Sequence, residues 1–132
     1  IPKSGGKFRP IAVSETILLV FHKLLTFRLR NQTAHRISKN QFAFARNANV
    51  ICLSRAEQWR KEGLTLTTID IQNAFNSTSH ELIFNELNNL RVSPMYLKYL
   101  QKFLSARECN FGKNIMCGVP QGDSQSMQLF CI

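Results

Sequence analysis

The chain has 132 residues, 44% of them hydrophobic, which is enough to build one domain with a buried core and excludes a disordered tail. Seventeen Lys and Arg against eight Asp and Glu give a formal charge of +9, which fits a polyanion partner or a basic piece of a protein balanced elsewhere. The longest apolar candidate, Ile17 to Leu29, is broken by His22, Lys23 and Arg28, so no membrane span is expected.

In chain order, Ile1 to Val13 reads as a β-hairpin turning at Ser4-Gly5-Gly6. Ser14 is placed to cap a helix from Glu15 to Arg30, with Ile17, Val20, Phe21, Leu24 and Phe27 at the spacing of one apolar face. A polar loop leads through Gln41-Phe42-Ala43-Phe44 to a second helix, Asn49 to Lys61, ended by Gly63. Leu64 to Ile71 alternates as a strand should. Thr78-Ser79-His80-Glu81 resembles a capping box for a helix to Leu90, with Leu82, Ile83, Leu87 and Leu90 inward. Ser93-Pro94 opens a helix through Leu104. Arg107 to Phe111 and Ile115 to Cys117 read as two short strands. Asp123 or Ser124 is placed to cap a last helix. The fold class expected is α+β, helices on a small sheet. The four cysteines lack metal-ligand spacing and read as reduced thiols.

Three segments carry candidate chemistry. The hairpin holds Lys3, Lys7 and Arg9, cations that can grip phosphate oxygens or simply face solvent. Asp70, one of two aspartates in the chain, closes the apolar strand, where a carboxylate can hold a divalent cation or form a turn. Gly118-Val119-Pro120-Gln121-Gly122 brackets Gln121 with glycines, a loop that backbone-contacts a flat substrate or merely enters the last helix.

Together, Ile1 to Ile11, Gln41 to Phe44, Asp70 to Ser77 and Gly118 to Phe130 resemble, in order, the motifs of the reverse transcriptases of non-long-terminal-repeat (LINE-type) retrotransposons. The resemblance covers essentially the whole chain. It implies the right-hand polymerase fold, incomplete, with fingers over about 1–63 and part of the palm over about 64–132. Asp70 and the Ile71 carbonyl would hold Mg²⁺, two ions in the intact enzyme with Mn²⁺ as a substitute. Phe75 would exclude a 2′-hydroxyl, Gln121 and Gly122 would face the incoming nucleotide, and Lys3 and Arg9 would hold its triphosphate. Lys7, Lys23 and Arg28 would contact nucleic acid, whereas Phe42 and Phe44 would pack.

The resemblance implies RNA-directed DNA synthesis from a primer, with RNA template, DNA primer and deoxynucleotides as partners. An endonuclease domain in the same polyprotein and an intracellular location, nuclear for integration and cytoplasmic for translation, belong to that expectation. Two further catalytic aspartates and a thumb would lie beyond Ile132. A non-catalytic, maturase-like RNA-binding derivative is the alternative. The chain departs from the family's wording at Ser124, Gln125 and Gln128, where Pro or apolar residues are usual, and at Ala45-Arg46-Asn47-Ala48.

Overall fold

The computed structural model describes residues 11–43, 46–107 and 116–132. It divides into two compact units, one formed by Ile1–Arg36 with Asn73–Ile132, the other by Ile37–Gln72. Six helices are present among the described residues: α1 Thr16–Thr33, α2 Ala48–Lys61, α3 Ala74–Ser77, α4 His80–Asn89, α5 Pro94–Ser105 and α6 Ser126–Cys131. No described helix is long and apolar enough to cross a membrane.

The first unit owns the core. Leu29 of α1, Ile83 and Leu87 of α4, Leu100 and Leu104 of α5, and Leu129 of α6 meet Val92 and Val119 from the connecting loops. On α4 and α5 the buried residues recur four apart, the repeat that stacks side chains on one helix face. The expected inward place of Leu82 is corrected, for it is exposed. Ser79, not Thr78, is the N-cap of α4, and its hydroxyl accepts from the Leu82 N–H at 3.4 Å, three residues on. The Thr78 hydroxyl instead donates to the Ala74 carbonyl.

The turn from α4 to α5 is a helix stop with both closing bonds. Val92 N–H donates to the Leu87 carbonyl and Arg91 N–H to that of Asn88, with Arg91 at φ +52°. The second unit holds α2, which closes in the same way. Leu64 N–H donates to the Trp59 carbonyl and Gly63 N–H to that of Arg60, with Gly63 at φ +81°. Helix α2 buries no residue. Beside it, the Arg55 guanidinium lies 5.3 Å over the half-buried Phe42 ring and donates to Asn40 Oδ1.

Three expectations are corrected. On α1, the face marked by Ile17, Val20, Phe21, Leu24 and Phe27 is exposed, and His22, Leu29 and Thr33 are buried instead. The helix is apolar around most of its girth, so periodicity alone does not select the inward face. Its N-cap is Glu15 rather than Ser14, with no side-chain cap bond. The strand expected at Leu64 to Ile71 has no regular secondary structure, and no strand occurs among the described residues. A strand is held by ladder bonds to a neighbour, and these residues have none. The hairpin expected at Ile1 to Val13 lies outside the described residues as far as Pro10; the later pair does so from Glu108 to Ile115.

Candidate nucleotide-facing loop

The Gly118–Gly122 loop is held from several sides. Gly118 N–H donates to the Thr78 carbonyl and Val119 N–H to that of Phe75, both at 2.7 Å. These two bonds clip the loop to the short helix α3. That helix starts at Asn73, which sits at φ +52° and lends its carbonyl to the N–H groups of Asn76 and Ser77. Asn tolerates this left-handed conformation better than most residues. The clip also needs Gly118: it stands at φ +83°, and a Cβ there would meet the Asn76 carbonyl oxygen at 2.5 Å.

The Gly118 carbonyl accepts from the Arg107 guanidinium, while His80 Nε2 lies 2.8 Å from the same oxygen. Arg107 also donates to the Leu104 carbonyl. Burial holds its pKa below the usual guanidinium range, because the charged form gives up water. At the far end of the loop, Ala12 N–H donates to the Gln121 carbonyl at 2.7 Å. Gly122, at φ +109°, brings its backbone so close that a Cβ would meet the Ala12 carbonyl oxygen at 2.7 Å. Both glycines of the motif are therefore required by close backbone approach.

Beneath the loop runs a line of buried polar groups between α1 and the chain that follows the loop. His22 Nδ1 donates to Asp123 Oδ2, and His22 Nε2 meets the Tyr99 hydroxyl. Asp123 Oδ1 accepts from the Gln125 N–H at 2.9 Å, so both carboxylate oxygens are engaged. Tyr96 OH donates to Gln125 Oε1 at 2.7 Å, and the Gln128 amide donates to Thr33 Oγ1. Three polar atoms in this region are buried without a partner: Ser124 Oγ, Gln125 Nε2 and Gln128 Oε1. Burial, reinforced by the charge of Asp123, raises the pKa values of Tyr96 and Tyr99, so both phenols stay protonated well into alkaline pH. Helix α6 starts only at Ser126, and its N-cap is Gln125 rather than Asp123 or Ser124.

Of the residues singled out in the sequence, Phe75, Gln121 and Gly122 belong to this one assembly. The Phe75 ring is half-buried and stacks on Phe130, centroids 5.1 Å apart and planes 17° off parallel. Gln121 is half-buried. Asp70 and Ile71 are exposed and belong to the other unit. Lys23 and Arg28 are exposed on α1, and Arg28 lines a groove of about 490 Å³ with Phe21, Leu29, Met95, Tyr96 and Tyr99. Lys3, Lys7, Arg9 and Phe44 lie outside the described residues.

A divalent cation takes about six oxygen ligands. Among the described residues no three His, Cys, Asp or Glu side chains converge to hold one. Asp70 offers one carboxylate and Ile71 one carbonyl, which do not complete a site. Cys52, Cys117 and Cys131 are free thiols, and burial raises the pKa of Cys131.

Sequence reasoning missed His22, Tyr96 and Tyr99. A signal was present: His22 interrupts, with Lys23, the apolar run Ile17 to Leu25, and Gln125 and Gln128 stand where apolar residues are usual.

No solved structure matches the chain. It is 26% identical over 143 residues to the Retrovirus-related Pol polyprotein from type-1 retrotransposable element R2 of Bradysia coprophila, an alignment covering 96% of this chain. The chain spans 16% of that relative's length. The similarity agrees with the resemblance to non-long-terminal-repeat elements that the motifs carry. The model of the reverse transcriptase (RNA-dependent DNA polymerase) family matches residues 1–132. The chain belongs to the reverse transcriptase family.

Proposed function

We propose that the protein carrying this chain is the RNA-directed DNA polymerase of a retrotransposon, and that this chain supplies the nucleotide-facing part of its active site. The observation that carries the reading is the clip between α3 and the Gly118–Gly122 loop. It sets Phe75, Gln121 and Gly122, from two motifs more than forty residues apart, into one hydrogen-bonded assembly. An aromatic ring beside a loop fixed by its own backbone bonds suits a flat nucleotide, with Phe75 limiting space at the sugar and Gln121 offering donor and acceptor.

In this reading fingers span about 1–63 and palm about 64–132, the sheet of the α+β polymerase fold being completed by partner strands. Asp70 and the Ile71 carbonyl contribute ligands to Mg²⁺, or Mn²⁺ in its place, and other carboxylates supply the rest. Bound metal would supply activation of the primer hydroxyl and neutralisation of the triphosphate. Lys3 and Arg9 grip the triphosphate, and Lys7, Lys23 and Arg28 contact the phosphates of RNA template and DNA primer. An endonuclease domain in the same polyprotein, and work in the nucleus after synthesis in the cytoplasm, complete the proposal.

The test is Asp70→Asn in the full-length protein, read by primer extension on an RNA template with Mg²⁺ and with Mn²⁺. Extension is expected to vanish while salt-titrated RNA binding holds, because Asp70 serves metal and the basic residues serve phosphate. Extension within a few-fold of wild type would remove Asp70 from the metal site. A wild type that binds RNA and never extends a primer would favour the non-catalytic alternative.

A further inference from the structure

The His22 side chain is fully buried and lies 101 residues from its partner Asp123 in the chain. Helix α1 brings it under the loop, and α5 walls it in. The Phe103 ring stands edge-on to the imidazole at 4.6 Å, and Tyr99, stacked parallel to Phe103, meets its outer nitrogen. The imidazole is thus fixed at both nitrogens and across its face.

Its one link toward the loop is the carboxylate of Asp123. That carboxylate binds the next turn through the Gln125 N–H, while the Asp123 N–H reaches back to the Pro120 carbonyl at 3.2 Å. The Ser126 hydroxyl donates to the same Pro120 carbonyl at 2.7 Å. Asp123 is therefore the joint between a rigid helical wall and the residues Pro120 to Gly122. The Gln121 backbone has one further restraint, the bond from Ala12, and Ala12 precedes α1 by only a few residues. The loop is accordingly held from two points, Ala12 in the segment that leads into α1 and His22 on α1 itself.

We propose that His22 is a positioning residue for the nucleotide-facing loop. It acts through Asp123, with Tyr99 fixing the imidazole so that Nδ1–H points at the carboxylate. This rests on the polymerase reading above. A neutral imidazole with its proton on Nδ1 donates to Asp123 and accepts from Tyr99 OH at Nε2; a doubly protonated one donates at both ends, since the hydroxyl can rotate. The arrangement keeps the same donor on Asp123 in both states. A hydrophobic side chain in this place would pack and would leave Asp123 Oδ2 buried without a donor.

The experiment uses two amide variants in the full-length protein. In His22→Asn the amide nitrogen falls where Nδ1 stood, so the bond to Asp123 is kept. In His22→Gln it falls where Nε2 stood, so the contact with Tyr99 is kept and the Asp123 bond is lost. His22→Gln is expected to raise the deoxynucleotide KM on the order of tenfold, with kcat moving less, the size expected for one buried hydrogen bond. His22→Asn is expected to stay within about twofold of wild type. RNA affinity should not move in either variant.

Backbone hydrogen exchange at Gln125 and Ser126 supplies a readout that needs no catalysis, and it should quicken in His22→Gln alone. Equal behaviour of the two variants in KM and in exchange overturns the proposal. So does a uniform loss of thermal stability and RNA binding with no KM change, which marks His22 as core only. If the polymerase reading fails at Asp70→Asn, the exchange contrast still decides the role of His22. Should either His22 variant not fold, Tyr99→Phe removes only the hydroxyl; faster exchange at Gln125 supports the proposal, and unchanged exchange overturns it.

Discussion

Residues 73–132, with α1, bury a connected core of eight apolar side chains under the Gly118–Gly122 loop, whereas residues 37–72, which carry Asp70, bury none of those described. The loop is held by backbone bonds, by a guanidinium on its first carbonyl and by a buried carboxylate at its end. Asp70 follows a stretch, Leu64 to Ile69, in which every side chain is exposed. A helix pair closes its own backbone bonds and needs only an apolar face to dock. A strand needs a neighbour for every bond it makes. The Gly118–Gly122 loop is therefore held by the helices of its own unit, whereas the segment that ends at Asp70 has no comparable support among the described residues.

The widest gap between the two regions should appear in stability. Leu100 is fully buried and touches the center of the core, so Leu100→Ala is expected to cost about 2–5 kcal/mol. Leu53 on α2 is 71% exposed, and Leu53→Ala should stay within about 0.5 kcal/mol. Urea unfolding of the two variants decides it. Similar losses would mean that α2 docks on a surface and that the contrast is one of packing partners, not of sequence.

What was legible in the sequence follows the same physics. The existence of α1, α2, α4 and α5 could be read from local signals: the Pro94 start, the Gly63 stop, and the three-four spacing of Ile83, Leu87 and Leu90. The inward face of α1 could not, because His22 and Thr33 are chosen by Asp123 and Gln128 about a hundred residues away. Helix α3 was missed because four residues carry no periodicity, and its start rests on Asn73 in a left-handed conformation. The loop motif was visible as wording, yet the reason for its two glycines, close approach to Asn76 and to Ala12, is tertiary. Gln125 and Gln128 looked like departures from a family pattern. In the fold each has a polar partner, Tyr96 and Thr33, although each also keeps one unpaired buried atom.

A smaller effect probes the clip itself. Phe75 both stacks on Phe130 and stands beside the loop, so its two roles have to be separated. Phe130→Leu removes the stack and should cost about 0.5–1.5 kcal/mol beyond lost area, with sugar preference unchanged. Phe75→Val should add acceptance of ribonucleotides, with a smaller loss of deoxynucleotide incorporation, because shape exclusion alters selectivity. Single-nucleotide incorporation with both sugar types checks this. An unchanged preference in Phe75→Val would reduce Phe75 to a packing residue of the better-built region.

The smallest expected effect compares one backbone position in the two regions. Helices α2 and α4 end with the same pair of closing bonds, and the residue after the cap is Gly63 in one and Arg91 in the other. Both sit at positive φ, where glycine is free of the Cβ penalty and arginine is not. Nothing lies within 4 Å of a Cβ built on Gly63, so Gly63→Ala meets only the conformational penalty. It should destabilise by about 1 kcal/mol where α2 contributes to folding at all. Arg91→Gly should stabilise by a few tenths to about 1 kcal/mol, the relief of left-handed strain being offset by the greater freedom of glycine in the unfolded chain. The two changes move a helix stop in opposite directions without touching a side-chain contact of the core. If Arg91→Gly registers in the unfolding midpoint and Gly63→Ala does not, the transition measured is that of the core-bearing region, and the region around Asp70 lies outside its cooperative unit. If both register with opposite signs, the two regions unfold as one, and the contrast drawn from burial does not extend to cooperativity.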